Sequence, residues 1–400
     1  MKNAYIYDGG RTAFGRHGGA LSPLRPDDML AHVIKTLVER NNFDLSDYED
    51  VIAGCTNQAG EDSRNVGRFA GLLAGLPIET GGITINRLCG SSLASVADAA
   101  RCVKVDEGDL FVACGVEAMS RAPLVLSKAN SAFDRNQTIA DTTMGARFSN
   151  PKHLEQFGAH SMPETADNIA HDLGITREES DHFALASQQK YEAARAAGFF
   201  KDEIIPIPVF MGRKKGEVIV DEDEHPRPAT DLASLQKLRA LFENGVVTAG
   251  NASGINDGAS AVLIGNQEVG DKAGLKPRAR IISSAIVGVP PRVMGLGPVG
   301  AVKKALERAN LSLADMDVME FNEAFATQAM GCLNQLGLAY DDPRINPNGG
   351  AIAVGHPLGA SGARILWTGV RQLERCNGRY GLATMCIGIG QGICVVFERV

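Results

Sequence analysis

Ile85-Asn86-Arg87-Leu88-Cys89-Gly90-Ser91-Ser92-Leu93 is the stretch whose reading decides this chain. The apolar run Gly82 to Ile85 before it is strand-like, and Leu93, Val96, Ala97, Ala100 and Val103 fall on one helical stripe after it. A strand, a Cys-Gly-Ser-Ser turn and a helix in that order put the Cys89 sulfur at a helix N-terminus, where free backbone N–H groups and the dipole favour an anion. A thiol so placed is expected to ionise below its free value of roughly 8.5, and the thiolate is the nucleophile. The stretch predicts an enzyme.

Outward from this turn, strand and helix patterns alternate twice. In the first run a strand near Ala4, a helix over 27–40, a strand over 51–55 and a helix over 67–74 precede the Cys89 turn, and the strand 110–114 follows its helix. In the second run, strand 279–287, helix 300–310, strand 318–321, helix 322–336, a Gly-rich turn opening a helix, and strands 382–386 and 393–397 follow the same order. Strands separated by helices predict right-handed crossovers and a largely parallel sheet, here as two copies of one α/β unit. The first half is residues 1–120 with 248–270, and the second is 271–400. Between them, 121–247 is polar and loop-rich, with helices over 164–173 and 177–197, the latter opening on the capping box Thr176 to Glu179. An insertion of that size is read as a lid over substrate.

Composition narrows the class. A net charge of −7 over 400 residues argues against a nucleic-acid or anionic-membrane surface. No apolar stretch reaches transmembrane length, and Met1 to Tyr7 reads as a first strand rather than a signal peptide. The eight cysteines form no C-x-x-C pair and no zinc pattern, so no metal is expected. Scattered thiols point to a reducing, cytoplasmic location.

Further motifs end predicted strands in the second half: Asn322-Glu323-Ala324-Phe325; the Gly-rich run Asn346 to Gly362, which contains Gly355-His356-Pro357; and Cys386-Ile387-Gly388-Ile389-Gly390-Gln391-Gly392. The run Thr248 to Gly258 closes the insertion. Ligand sites in α/β folds lie beyond strand carboxyl ends, so the motifs are expected to share one pocket. His356 sits in a turn that would expose a side chain, whereas His17, His32, His153, His171, His182 and His225 read as surface or satisfied core histidines. Cys386 is a core strand cysteine on periodicity alone, and its flanking glycines permit close approach of a ligand. Asn322 has the position of a helix cap.

Taken together and in this order, the motifs resemble those of the thiolase family from the first strand to the last. The resemblance implies a five-layered α/β/α/β/α fold of duplicated halves with an inserted loop domain, assembled as a dimer or tetramer. It implies coenzyme A as co-substrate, with no permanently bound cofactor. Cys89 would then be the acylated nucleophile, His356 its base, and Cys386 the acid/base at the substrate α-carbon. Asn322, holding a water, and His356 would form one oxyanion hole; the N–H groups of Cys89 and Gly388 would form the other. The resemblance further places Met162, Ala249, Ala252, Ser253 and Phe325 along the acyl-CoA channel, and Arg227 and Ser234 near the nucleotide. Ser161-Met162-Pro163-Glu164-Thr165-Ala166 resembles the 3-oxoadipyl-CoA thiolases, which act on a dicarboxylate thioester; acetoacetyl-CoA or a broad 3-ketoacyl-CoA range is the alternative. A decarboxylating synthase would carry a second histidine where Cys386 stands. A non-catalytic lipid carrier would be expected to lose Cys89 or the Gly-His-Pro run.

Overall fold

Leu110, Val112 and Cys114 face one way along a single strand, Phe111 and Ala113 face the other, and all five are buried. A strand covered on both faces is what layered α/β packing requires, and the computed structural model, described over residues 2–400, is built on that pattern. The first half runs β1 (Ala4–Arg11), β2 (Gly15–Arg16), α1 (Pro26–Glu39), β3 (Tyr48–Gly54), α2 (Val66–Leu73), β4 (Gly81–Ile85), α3 (Ser91–Val105) and β5 (Leu110–Ala118). The middle segment holds the hairpin β6 (Leu124–Leu126) and β7 (Ile139–Asp141), then α4 (Pro151–Phe157), α5 (Met162–Leu173), α6 (Arg177–Ala196), a second hairpin of β8 (Ile207–Phe210) and β9 (Glu217–Val220), and α7 (Leu232–Gln236). The chain returns through β10 (Asn256–Gly265) and α8 (Gln267–Ala273). The second half is β11 (Ala279–Gly288), α9 (Gly297–Ala309), β12 (Val318–Phe321), α10 (Ala326–Leu336), α11 (Ala351–Val354), α12 (Ser361–Cys376), β13 (Tyr380–Ile387) and β14 (Gln391–Arg399).

The strand order β4-β3-β5-β10-β1 in the first half is repeated by β12-β13-β14-β11 in the second. A lone parallel bridge from Met319 to Ile345 stands where the counterpart of β4 would be. The halves meet where Ala4–Ile6 of β1 pairs with Ala279–Ile281 of β11. The expected largely parallel sheet is corrected: β3–β4, β3–β5 and β12–β13 are parallel, whereas β10, β1, β11 and β14 pair antiparallel with every main-sheet neighbour. The strand β10, which the sequence reading passed over inside its Asn-Asp-Gly motif, causes much of the difference. It is buried along its whole length beside β5 and β1.

The side chains sort into layers. Leu30, Val33, Ile34 and Leu37 of α1 pack on the outer face of the first-half strands. Val302 and Leu306 of α9 with Leu333 of α10 cover the outer face of the second half. Val96 and Ala100 of α3, with Ile365 and Val370 of α12, fill the centre between Phe111, Ala113 and Val262 on one side and Met385, Val395 and Phe397 on the other. This is the five-layered arrangement. The stripe Leu93, Val96, Ala97, Ala100 and Val103 is buried as expected, and so are Ser91, Ser92 and Ser95 on other faces, because the first two turns of α3 are enclosed on all sides.

The two central helices start in contact. The Ser92 hydroxyl accepts the Ala363 N–H at 3.0 Å, and a Cβ on Gly362 would stand 2.2 Å from the Leu93 nitrogen. Gly362→Ala should therefore force the helices apart and cost about 1–3 kcal/mol. A thermal melt should show a Tm lowered by several degrees; an unchanged Tm would mean that this contact relaxes freely.

Candidate active site

Cys89 lies on a strained turn rather than in the helix. Leu88 has φ +45°, a left-handed conformation uncommon for a residue with a side chain. The Asn86 Oδ1 accepts the Leu88 N–H at 3.0 Å, and Ser91 Oγ accepts the Arg87 N–H at 2.9 Å while donating to the Leu88 carbonyl at 2.6 Å. These bonds hold the half-buried Cys89 at the mouth of α3, with Gly90 as its N-cap. The expected depressed thiol is corrected: burial pushes the Cys89 thiol up to about 11, against the opposing pull of the Gly388 and Cys89 backbone N–H groups. Desolvation outweighs the helix terminus here, so the resting sulfur is protonated.

His356 is buried rather than exposed, a second correction. It follows Gly355 at φ +102°, where a Cβ would stand 2.6 Å from the Asn256 side chain. Asn256 takes that space: its Oδ1 accepts the His356 N–H at 2.9 Å, and its Nδ2 donates to the Gly15 carbonyl at 2.9 Å. The Ser361 hydroxyl donates to the Pro357 carbonyl at 2.9 Å, which leaves its oxygen as acceptor for the His356 Nδ1–H at 2.6 Å. The proton is thereby assigned to Nδ1, and Nε2 presents a lone pair. Burial, and secondarily the nearby Arg364, lower His356 to about 3, so the ring is neutral and Nε2 is free to accept a proton.

Nε2 faces the Asn322 Nδ2 at 3.4 Å. The helix after β12 starts at Ala326 with Phe325 as its cap, so Asn322 is not a cap residue and its side chain is free for the site. Its Oδ1 is buried without a protein partner. Glu323 is a brace: its carboxylate accepts from Ser187 Oγ at 2.6 Å, Asn346 Nδ2 at 2.7 Å and the Ile352 N–H at 3.2 Å.

Cys386 is the penultimate residue of β13, opposite Gly392, and Gly388, Ile389 and Gly390 turn the chain into β14. Its thiol packs in one apolar cluster with Ala166, Val247, Met294, Ala324 and Phe325, bordered by Met162 and Ala252. A Cβ on Gly388 would lie 3.1 Å from Leu88 and 3.7 Å from the Met162 sulfur, so this turn, the Cys89 turn and the start of α5 converge. Burial, with Cys89 second, pushes the Cys386 thiol well above the usual thiol range.

The candidate coenzyme A residues divide. Ala252 bridges Phe325, the Ser253 N–H donates to the Ala324 carbonyl at 2.9 Å, and Ala326 N–H donates to the Asn251 carbonyl at 2.8 Å; this loop lies along the Asn-Glu-Ala-Phe run. Ala249 is exposed beside it. Arg227 is exposed, anchored by its N–H to Gln188 Oε1 at 3.0 Å, and Ser234 spends its hydroxyl on the Asp231 carbonyl at 2.7 Å. Among the described residues no hydrogen bond or ion pair joins either to the Cys89 turn. Ser161 and Glu164 have a local role as well, since the Ser161 N–H donates to Glu164 Oε2 at 2.6 Å at the start of α5. His225 departs from the expected satisfied histidine: its Nδ1 is buried without a partner, and burial lowers it to about 4. Asn256, Ser361 and Glu117, which hydrogen-bond to the His356 turn, were missed; their polarity in otherwise buried strand or helix ends was the available signal.

Family models cover the chain in two parts, Thiolase, N-terminal domain over residues 4–268 and Thiolase, C-terminal domain over 275–399. The chain belongs to the thiolase family. It is 55% identical to a beta-ketoadipyl-CoA thiolase of Acinetobacter baylyi and 56% identical to the 3-oxoadipyl-CoA/3-oxo-5,6-dehydrosuberyl-CoA thiolase of Escherichia coli K12, each over 100% of both chains. Human mitochondrial 3-ketoacyl-CoA thiolase, solved in complex with CoA, superposes with a TM-score of 0.92 at 38% identity, covering 100% of this chain and 98% of that one. As a thiolase the chain is an acyltransferase of thiolytic cleavage, and burial favours the uncharged form of both Cys89 and Cys386.

Carbamidomethylation of Cys89 by iodoacetamide in the substrate-free enzyme should therefore rise about tenfold per pH unit from pH 7 to 9 without levelling. A plateau below pH 8 would show a preformed thiolate.

Proposed function

We propose that this thiolase cleaves 3-oxoadipyl-CoA with coenzyme A to succinyl-CoA and acetyl-CoA. Likeness over the whole length to thiolases named for that substrate, at 55–56% identity against 44% to a 3-ketoacyl-CoA thiolase of Vibrio vulnificus, carries the substrate assignment. The reading of the site rests on the meeting of the Cys89 turn with the turn after Cys386, and on the contact between the helix starts that follow Cys89 and His356.

In the proposed sequence His356 Nε2 takes the Cys89 proton as the sulfur attacks the 3-keto carbon. The oxyanion is held by the Cys89 and Gly388 N–H groups or by His356 with an Asn322-bound water. Collapse breaks the bond between C2 and C3 and leaves succinyl on Cys89, while the Cys386 S–H protonates C2 to give acetyl-CoA. The Cys386 thiolate then takes the proton of coenzyme A, whose sulfur attacks the succinyl carbonyl. Cys89 leaves and recovers its proton from His356. Low dielectric strengthens each of these interactions, which offsets the unfavourable resting protonation states. Met162, Ala249, Ala252, Ser253 and Phe325 would line the channel for acyl-CoA, with Arg227 and Ser234 toward the nucleotide, and 121–247 would cover it.

We also propose a homodimer or homotetramer. The sheet ends at β4, whose free edge lies beside exposed Phe69, Leu72, Leu73, Ile78 and Ile83. Exposed Leu124, Leu126, Phe133 and Ile139 on the first hairpin offer a second surface. Eight free cysteines support a cytoplasmic location.

A kcat/KM panel over acetoacetyl-, 3-oxohexanoyl-, long-chain and 3-oxoadipyl-CoA should favour the last; no advantage over acetoacetyl-CoA would end the dicarboxylate reading. Mass spectrometry should find succinyl on Cys89, and an acylated Cys89→Ala variant would refute the nucleophile. Asn322→Ala should lower kcat by roughly 10²–10³ if the oxyanion role holds; a change within twofold would remove Asn322 from it.

A further inference from the structure

Glu117 reaches from the end of β5 into the second half. It pairs with Gly258 in the sheet, is buried, and its carboxylate accepts three backbone N–H groups: Thr56 at 3.1 Å, Asn57 at 3.1 Å and Gly359 at 2.9 Å. The first two lie just beyond β3, and the third lies in the turn that carries His356. Among the described residues no Lys, Arg or His forms an ion pair with this carboxylate. The backbone amides are its compensation for burial, which raises it to about 7.

We propose that Glu117 is a positioning residue that holds the His356 turn on the first half of the molecule. The turn Gly355 to Gly359 is pinned at one end by Asn256 on the His356 N–H and at the other by Glu117 on the Gly359 N–H. Ser361, which orients the imidazole, begins two residues later. A Cβ at Gly359 would stand 2.2 Å from the Val116 carbonyl and 2.7 Å from that of Gly54, so the turn rests directly on the ends of β5 and β3. Both anchors come from the half that carries Cys89, so one carboxylate sets the spacing of base and nucleophile across the duplicated fold. The Glu117 carboxylate also accepts from the Cys55 thiol at 4.0 Å, and as a like charge it adds a minor contribution, well behind burial, to the raising of the Cys89 thiol.

The inference rests on His356 acting as the base of Cys89. Glu117→Gln keeps size but turns one acceptor into a donor facing backbone N–H groups, whereas Glu117→Asp keeps the charge and shortens the reach. Both should lower kcat for 3-oxoacyl-CoA thiolysis by roughly 100-fold with KM within about threefold, the expected result of a misplaced catalytic group. Iodoacetamide alkylation of Cys89, which needs no substrate, should be faster in Glu117→Gln at pH 8 and unchanged in Glu117→Asp. A kcat within twofold of the parent enzyme in both variants overturns the proposal. So does a loss of turnover and alkylation together in proportion to lost folded protein, measured by circular dichroism. If the parent enzyme cleaves no 3-oxoacyl-CoA, the thiolase substrate reading fails instead, while the alkylation comparison still reads the charge of Glu117 at Cys89.

Discussion

The close approach of α3 and α12 at their first turns fixes how the two halves of this molecule meet. Gly362 against the Leu93 backbone, and Ser92 against the Ala363 N–H, bring together two helix starts that are about 270 residues apart in sequence. One start carries Cys89 and the other follows His356. Because both helices are enclosed between sheets, neither can shift without disturbing a close-packed layer. The duplicated strand order then delivers Asn322 after β12 and Cys386 at the end of β13 to the same end of the molecule.

Burial sets the electrostatics of the site more than the helix terminus does. The Cys89 thiol is raised to about 11 and the His356 ring lowered to about 3, both chiefly by desolvation. Each group is held in its uncharged form, and Ser361 and Asn256 orient the ring without charging it. In the proposed sequence the transfer of the Cys89 proton to His356 is therefore driven by the bound substrate, whose developing oxyanion is stabilised in the low-dielectric site.

Much of this was legible in the chain because local rules and packing agree. Strand 318–321 and the helix opened by Thr176 stand where their patterns placed them, since a buried alternation and a capping box act over a few residues. The departures share one cause. β10 reads as a polar turn at Asn256-Asp257-Gly258 because Asn256 and Asp257 are paired with distant partners, Gly15 and Ser120. Asn322 looked like a cap because its actual partner, His356, is 34 residues away. His356 looked exposed because the Asn256 side chain that encloses it lies in the other half.

Periodicity and turn chemistry are local properties, so the chain alone specifies the layered α/β class, the duplication, the candidate cysteine and the set of motifs that ends its strands. Only the folded arrangement sets the strand directions, the burial that favours the uncharged forms of Cys89 and His356, and which side chains hold the Cys89 and His356 turns. Those depend on desolvation and on hydrogen bonds between segments far apart in the chain, and no local pattern records them.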